Sequence, residues 1–348
     1  MSSPITLQDF HAKALADYGI ADLWPEAVLK ESKTKKENIT KEIDALETFP
    51  FVTIDGEDAK DFDDAIFCEF SDHGFHLKVA IADVSFYVKE GSALDLEAAK
   101  RTTSVYMPKK VVPMLPEKLS NELCSLQPNK RRRCLCIEMD FDKDGYINSY
   151  KFHRGIIKSV ARLTYTEVEN QIINGVKDSD YAESLKAAIV LFNKLIINKG
   201  YRGALDFTIS EPLVQTNSDG DIKHIADRKR LNSHKLIEEF MLAANISAAD
   251  FISQYAKEGV YRIHEHPESL KIQRLSQVLK NRGINWNGNI EDIENISEFI
   301  LKLNKRDDAP ILNMLILQSM QRAEYSTLNK GHFGLKFDKY THFTSPIR

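Results

Sequence analysis

Six carboxylate side chains are crowded into ten residues of the segment IDGEDAKDFDDA, which runs from Ile54 to Ala65. Their mutual repulsion would destabilise such a loop unless a cation neutralised it. Carboxylate oxygens are the hard ligands that Mg²⁺ and Mn²⁺ prefer. Gly56 allows a sharp turn, so the side chains can converge around one or two ions. The candidate ligands are Asp55, Asp61, Asp63 and Asp64. A solvated acidic loop is the alternative that these residues alone leave open.

A calcium loop of the EF-hand type is a second alternative for the same segment. In such a loop a glycine occupies the sixth position and a bidentate glutamate occupies the twelfth. Here the glycine is second, at Gly56, and the glutamate is missing. The pattern therefore favours magnesium or manganese over calcium.

Other active-site types are not indicated by the sequence. It contains no GxSxG elbow, Walker A loop or GxGxxG fingerprint. The four cysteines are too few and too irregularly spaced for a disulfide framework. We also find no secretory signal and no run of about 18 apolar residues. We therefore expect reduced thiols, a cytoplasmic location and no membrane partner.

The overall charge counts mildly against a nucleic-acid partner, because the net charge is −4 and the pI is about 6.2. Net charge says little about local patches, however, and a metal site concentrates carboxylates. Basic clusters at 130–133 and 228–230 can contact phosphate. Solvated surface is the alternative explanation for both clusters.

The elements that must position these groups mix hairpins with separate helices, which indicates an α+β domain. A short strand at 51–54 precedes the acidic loop, and further extended structure follows it. Hairpins are predicted at 135–157, turning at Asp144-Gly145, and at 205–226, turning at Asp219-Gly220. Helices are predicted at 92–103, 165–175, 179–199, 234–255, 267–282, 290–304 and 309–322. Residues 1–48 are expected to form a helical and linker segment, and residues 49–348 the catalytic domain.

The acidic segment, extended to TIDGEDAKDFDDA, resembles the signature of the ribonuclease II/ribonuclease R family. Other segments resemble that family in the same order and extend the match to residue 348. They are VAIADVSFYVKEGSALDLEA, RTTSVYMP, VVPMLPEKLSNELCSL, RGALDF, HKLIEEFMLAANISAA, YRIHEHP, HFGL and FTSPIR. The segments GEDAKDFDDA and WPEAV favour the ribonuclease R branch.

The resemblance implies an RNB-type catalytic domain with a mixed β-sheet or barrel surrounded by helices. It implies a magnesium-dependent 3′→5′ exoribonuclease that hydrolyses single-stranded RNA to 5′ nucleoside monophosphates by two-metal-ion catalysis. Mn²⁺ is a possible substitute, and DNA is not an expected substrate. The family's four magnesium-binding aspartates correspond to Asp55, Asp61, Asp63 and Asp64.

The resemblance also assigns roles in substrate binding. The position of Tyr106 implies packing on the last nucleotides, and those of Tyr165 and Phe207 imply a grip on the RNA end. Glu238 would contact the terminal ribose, and Arg348 the scissile phosphate. Core packing is the alternative for each aromatic residue, and a solvated helix face is the alternative for the glutamate.

Compared with the family pattern, the chain lacks the flanking cold-shock and S1 barrels and stops at Arg348. We therefore expect a truncated form. The rival hypothesis is a catalytically impaired fragment that binds metal or RNA weakly.

Overall fold

The computed structural model describes residues 6–37, 44–207, 211–217, 222–256, 258–286 and 293–344. Its helices are α1 (Leu7–Asp17), α2 (Glu26–Thr34), α3 (Val84–Tyr87), α4 (Ala93–Arg101), α5 (Tyr165–Asn174), α6 (Ala182–Arg202), α7 (Asn232–Tyr255), α8 (Ser269–Asn281), α9 (Ile293–Leu303) and α10 (Ala309–Ser319). Its strands are β1 (Asp44–Ala45), β2 (Val52–Asp55), β3 (Asp64–Ser71), β4 (Gly74–Ala82), β5 (Val105–Met107), β6 (Lys110–Val112), β7 (Arg131–Asp142), β8 (Ile147–Lys158), β9 (Ala161–Thr164), β10 (Glu211–Thr216), β11 (Ile222–Arg228), β12 (Tyr261–Ile263) and β13 (Glu324–Ser326). Short π- and 3₁₀-helical turns lie at Lys118–Leu123 and Phe333–Leu335.

A seven-stranded mixed sheet in the order β1-β8-β7-β4-β3-β2-β9 forms the centre of the molecule. The β1–β8 and β2–β9 pairs are parallel, and the other pairs are antiparallel. The long β7–β8 hairpin turns at Asp144-Gly145, as predicted. Gly145 has φ +84°, and a Cβ there would lie 2.8 Å from the Lys194 Cβ, so the turn requires glycine.

Both faces of this sheet are buried, because successive side chains of a strand point to opposite sides. In β4, Leu77 and Val79 face a core that includes Leu236 and Phe240 of α7. Ala80, from the same strand, faces a second core built around α4 and the π-helical turn. Helices α8, α9 and α10 enclose a third core. The α+β prediction is confirmed.

The stretch before residue 49 contributes to the second core. Val28 of α2 and Leu46 are buried there, and Trp24 packs against the same cluster. Arg101 lies over the Trp24 ring, with its guanidinium carbon 3.5 Å from the ring centroid. The predicted helical and linker segment therefore contributes packed residues to the core, and the boundary at residue 48 stays a prediction.

Local signals agree with the structure where they depend on neighbouring residues. Ser92 caps α4 by accepting a hydrogen bond from the Asp95 amide at 3.3 Å.

The four cysteines are free and buried, which agrees with the expected reduced thiols. No helix in the described ranges is long and apolar enough to cross a membrane. The predicted turn at Asp219-Gly220 lies outside the described residues.

Candidate active site

The acidic segment connects two neighbouring strands of the central sheet. Asp55 is the last residue of β2, where it pairs with Thr164 of β9. Asp64 is the first residue of β3, where it pairs with Ile81 of β4. The sheet therefore fixes both ends of the segment.

Ser125 holds the middle of the segment in place. Its hydroxyl donates to the Lys60 carbonyl at 2.9 Å and accepts from the Phe62 amide at 3.1 Å. Phe62 itself is buried in the second core. In extended chain, the neighbours of an inward-pointing residue point the other way. Burial of Phe62 therefore turns Asp61 and Asp63 away from the core.

Three of the four predicted ligands interact electrostatically. Burial and the charge of Asp64 raise the pKa of Asp55 to about 8, with a smaller contribution from Asp63. Burial and the charge of Asp63 raise the pKa of Asp64 to about 7. The Oδ2 atom of Asp55 is buried and has no hydrogen-bond partner among the described residues. These carboxylates are therefore costly to ionise unless a cation neutralises them.

The same carboxylates do not yet surround a common point. Within the described part of the chain, no three Asp, Glu, His or Cys side chains meet closely enough to hold a metal ion. The structure thus brings Asp55, Asp63 and Asp64 into mutual electrostatic range. Asp61 instead accepts a hydrogen bond from the hydroxyl of Tyr106. The donor chemistry suits a hard divalent cation.

Arg162 braces the first half of the acidic segment. Its Nη2 donates to the carbonyls of Gly56 and Glu57, the second at 2.8 Å. Its charge opposes the upward shift in the pKa of Asp55. Sequence reasoning missed Arg162, because its place depends on the parallel β2–β9 pairing between distant parts of the chain.

Tyr106 reaches the acidic segment from the short β5–β6 hairpin. Its hydroxyl donates to Oδ2 of Asp61 at 2.9 Å. Its side chain is 64% exposed, although it carries a large aromatic ring. The alternative of core packing is therefore wrong for Tyr106, whose side chain lies exposed beside the carboxylates.

Tyr165 and Glu238 are connected to the site through α5 and α7. Tyr165 directly follows Thr164, the partner of Asp55 in the sheet. The Tyr165 ring stacks on His234, with centroids 4.0 Å apart and planes 18° from parallel. Residues four apart share one face of a helix, so Glu238 lies one turn beyond His234 on α7.

A family model described as the RNB domain matches residues 43–348. The chain belongs to the RNB domain family. The predicted family resemblance is thereby confirmed.

Known relatives of this RNB domain include ribonuclease R of Escherichia coli K12. The two are 42% identical over 346 residues, which cover 96% of this chain and 42% of the relative. Mycoplasma genitalium RNase R with ribose-methylated single-stranded RNA gives a TM-score of 0.92 at 29% identity, covering 98% of this chain and 55% of that chain. The same protein with double-stranded RNA gives 0.93 at 30% identity, covering 98% and 62%. The predicted RNB fold is confirmed, and the chain spans less than half the length of the E. coli relative.

Phe207, one of the predicted substrate residues of this RNB domain, is not brought to the acidic segment. Phe207 is partly buried and packs against the third core, so its grip on RNA stays a prediction. Arg348 lies outside the described residues. Asp206, next to Phe207, instead pairs with Arg230.

The basic cluster at 130–133 has structural partners in this RNB domain. Arg131 pairs with Glu47, and Arg132 is buried and donates to the carbonyl of Ser125. Arg133 lies over the Phe86 ring, with its guanidinium carbon 3.7 Å from the centroid. These contacts favour a structural role over contact with phosphate.

Proposed function

We propose that this RNB domain hydrolyses single-stranded RNA from its 3′ end and releases 5′ nucleoside monophosphates. One observation carries the proposal. Asp55, Asp63 and Asp64 couple electrostatically within a segment that also carries the family signature. The complexes of M. genitalium RNase R with RNA support RNA as the substrate class.

The residues present fit a magnesium or manganese site. The donors are all carboxylate oxygens, and the buried Oδ2 of Asp55 needs a positive partner. We propose that Asp55, Asp61, Asp63 and Asp64 hold the ions. Bound divalent ions would supply an activated water and stabilise the leaving 3′ oxygen.

The chain's other side chains hold the substrate in this proposal. The exposed ring of Tyr106 stacks on a base next to the carboxylates. The ring of Tyr165, held by His234 and the first core, grips the RNA end. Glu238 accepts a hydrogen bond from a ribose hydroxyl, a group that DNA lacks. Phe207 would grip the RNA end, and Arg348 would face the scissile phosphate and offset its charge.

The proposal is tested by incubating the purified chain with an oligoribonucleotide and, in parallel, with DNA of the same sequence. We expect mononucleotides from RNA with Mg²⁺ or Mn²⁺, and almost none with Ca²⁺, with a chelator or from DNA. A folded chain that releases no mononucleotides would contradict the proposal. It would favour the impaired fragment, whose weak metal or RNA binding can be measured in the same samples.

Replacing Tyr106 with alanine removes the stacking face beside the carboxylates. Loss of one base-stacking contact is expected to raise KM about tenfold and to lengthen the shortest RNA left at the end of digestion. Gel analysis of that end product measures the effect. Tyr106→Phe, the control, keeps the ring but loses the bond to Asp61 and should keep the parental length. An unchanged end product in the alanine variant would argue against the stacking role.

Replacing Arg162 with alanine removes two hydrogen bonds to the backbone of the acidic segment. We expect a loss of about 2 kcal/mol in the free energy of unfolding and about a tenfold lower kcat. Arg162→Lys keeps the charge but not the planar guanidinium group, so its stability and kcat should fall between those of the parent chain and Arg162→Ala. Arg274→Ala, at an exposed position of α8, is the control. Equal effects of both alanine variants would refute the bracing role.

A further inference from the structure

A network of charged side chains surrounds Glu238 at the start of α7. Lys199 Nζ lies 3.1 Å from Glu238 Oε1, and Arg230 Nη2 donates to Oε2 of the same carboxylate. Arg230 Nη1 donates to Asp206 Oδ1 at 2.7 Å. Each oxygen of Glu238 is therefore bound by a different cation, and one of those cations is itself anchored.

The partners of Glu238 come from separate parts of the fold. Lys199 lies in the last turns of α6, Asp206 in the segment that follows α6, and Arg230 between β11 and α7. Three segments thus fix one carboxylate, whose own side chain has several rotatable bonds. A solvated glutamate would not be held this way, so the alternative of a free helix face does not describe Glu238.

The inner cation of the network is largely buried. Lys199 is 9% exposed, and its Nζ also lies 2.9 Å from Oε1 of Glu239, which is 4% exposed. Burial acts to lower the pKa of Lys199, but the charges of Glu239 and Glu238 outweigh it and raise that pKa. Lys199 therefore stays charged and keeps the Glu238 carboxylate in place.

We propose that Arg230 and Lys199 are positioning residues that orient Glu238 toward the 2′-hydroxyl of the terminal ribose and so set the discrimination between RNA and DNA ends. The inference rests on the proposed function and names the residues that set the preference of the site for ribose over deoxyribose. Glu238 connects to the acidic segment through His234, Tyr165 and the β2–β9 pairing.

The hydrogen-bond chemistry of the carboxylate explains the discrimination. An ionised carboxylate only accepts hydrogen bonds and has about four acceptor positions. Two are taken by Lys199 and Arg230, so a fixed acceptor remains for a ribose hydroxyl. A deoxyribose end offers no donor and leaves that acceptor unpaired. Without Arg230, Glu238 turns more freely and meets the hydroxyl less often.

Arg230 is the better position for a test, because its side chain is 40% exposed and its loss leaves no buried charge unpaired. Three variants of the full chain are prepared: Arg230→Gln, Arg230→Lys and Lys229→Gln. Lys229→Gln is the control, because it removes the same charge from the exposed residue next to Arg230. The substrates are one RNA and the same RNA with a 2′-deoxynucleotide at its 3′ end, compared by kcat and KM with Mg²⁺.

Arg230→Gln is expected to reduce the kcat/KM ratio of ribose to deoxyribose ends about tenfold, the loss of one charged hydrogen bond. The change should arise from the ribose-ended substrate alone. Arg230→Lys should restore part of the ratio, and Lys229→Gln should lower both substrates equally. An unchanged ratio in Arg230→Gln, or an equal fall in Lys229→Gln, would overturn the inference while hydrolysis itself stands.

Binding of the two oligonucleotides without metal, measured by fluorescence anisotropy, separates the two proposals. If the parent chain does not hydrolyse RNA but prefers the ribose end, loss of that preference in Arg230→Gln supports the positioning role. A preference that survives in Arg230→Gln, or is missing in the parent chain, overturns it.

Discussion

Asp63→Asn is expected to abolish RNA hydrolysis while leaving the fold intact. Asparagine has nearly the same shape but is neutral, so it binds a hard divalent ion poorly. The backbone carbonyl of residue 63 still accepts from the Ala82 amide, which lies 3.0 Å away. We expect kcat to fall by about a thousandfold or more, the scale for loss of a group that stabilises transition-state charge. Steady-state rates and circular dichroism measure the two parts of this prediction.

Asp58→Asn is the matched control, because Asp58 lies exposed in the same segment and is not one of the four matched aspartates. It removes the same charge from the same loop and should keep most of the activity. Parental activity in Asp63→Asn would refute the proposed site. An equal loss in both variants would show that the charge of the loop matters rather than particular ligands.

Without divalent ions, the protein is expected to lose stability as the pH rises from about 5 to 8. The pKa values of Asp55 and Asp64 are raised to about 8 and about 7, from an ordinary value of 3.8. The unfolded chain therefore releases these protons at lower pH than the folded chain does. The contribution of the two carboxyl groups to the free energy of unfolding is therefore fully present below the ordinary pKa. It is lost as the pH rises through the raised values. Between pH 5 and 8 the loss is on the order of 2–4 kcal/mol for each carboxylate, since each pKa unit corresponds to about 1.4 kcal/mol.

Denaturant unfolding in a chelating buffer at several pH values measures this loss. Asp64→Asn removes one of the repelling charges, so it should flatten the dependence and raise the stability at pH 8. Mg²⁺ should restore stability at pH 8 in the parent chain and much less in the variant. Metal-free stability that rises with pH, or that is the same in both proteins, would show that the carboxylates are not coupled.

The acidic segment and the regular elements were predictable because their signals are local. The Ser92 cap, the Asp144-Gly145 turn and the long apolar pattern of α7 each depend on residues a few positions apart. The order of segments in the family also placed Tyr106 and Tyr165. The short β5–β6 hairpin that carries Tyr106 was missed, because strands of three residues show too little alternation.

The groups that hold the site together were not predictable in the same way. Ser125 lies 63 residues from Phe62, and Arg162 lies 106 residues from Gly56. Arg230 was noted only as part of a basic cluster, although it bridges Asp206 and Glu238. Their roles follow from strand pairing and packing between distant segments, which a local pattern does not contain. The roles of all the predicted site residues, including Phe207 and Arg348, stay predictions.

Hydrolysis from the 3′ end at the four aspartates is tested most directly with single-stranded RNA labelled at its 5′ end. The RNA is incubated with the parent chain or with Asp63→Asn, in Mg²⁺ or in chelator. A ladder that shortens from the 3′ end is expected only for the parent chain in Mg²⁺. Internal cuts, immediate release of the labelled nucleotide, or a ladder that Asp63→Asn or the chelator leaves unchanged would contradict it.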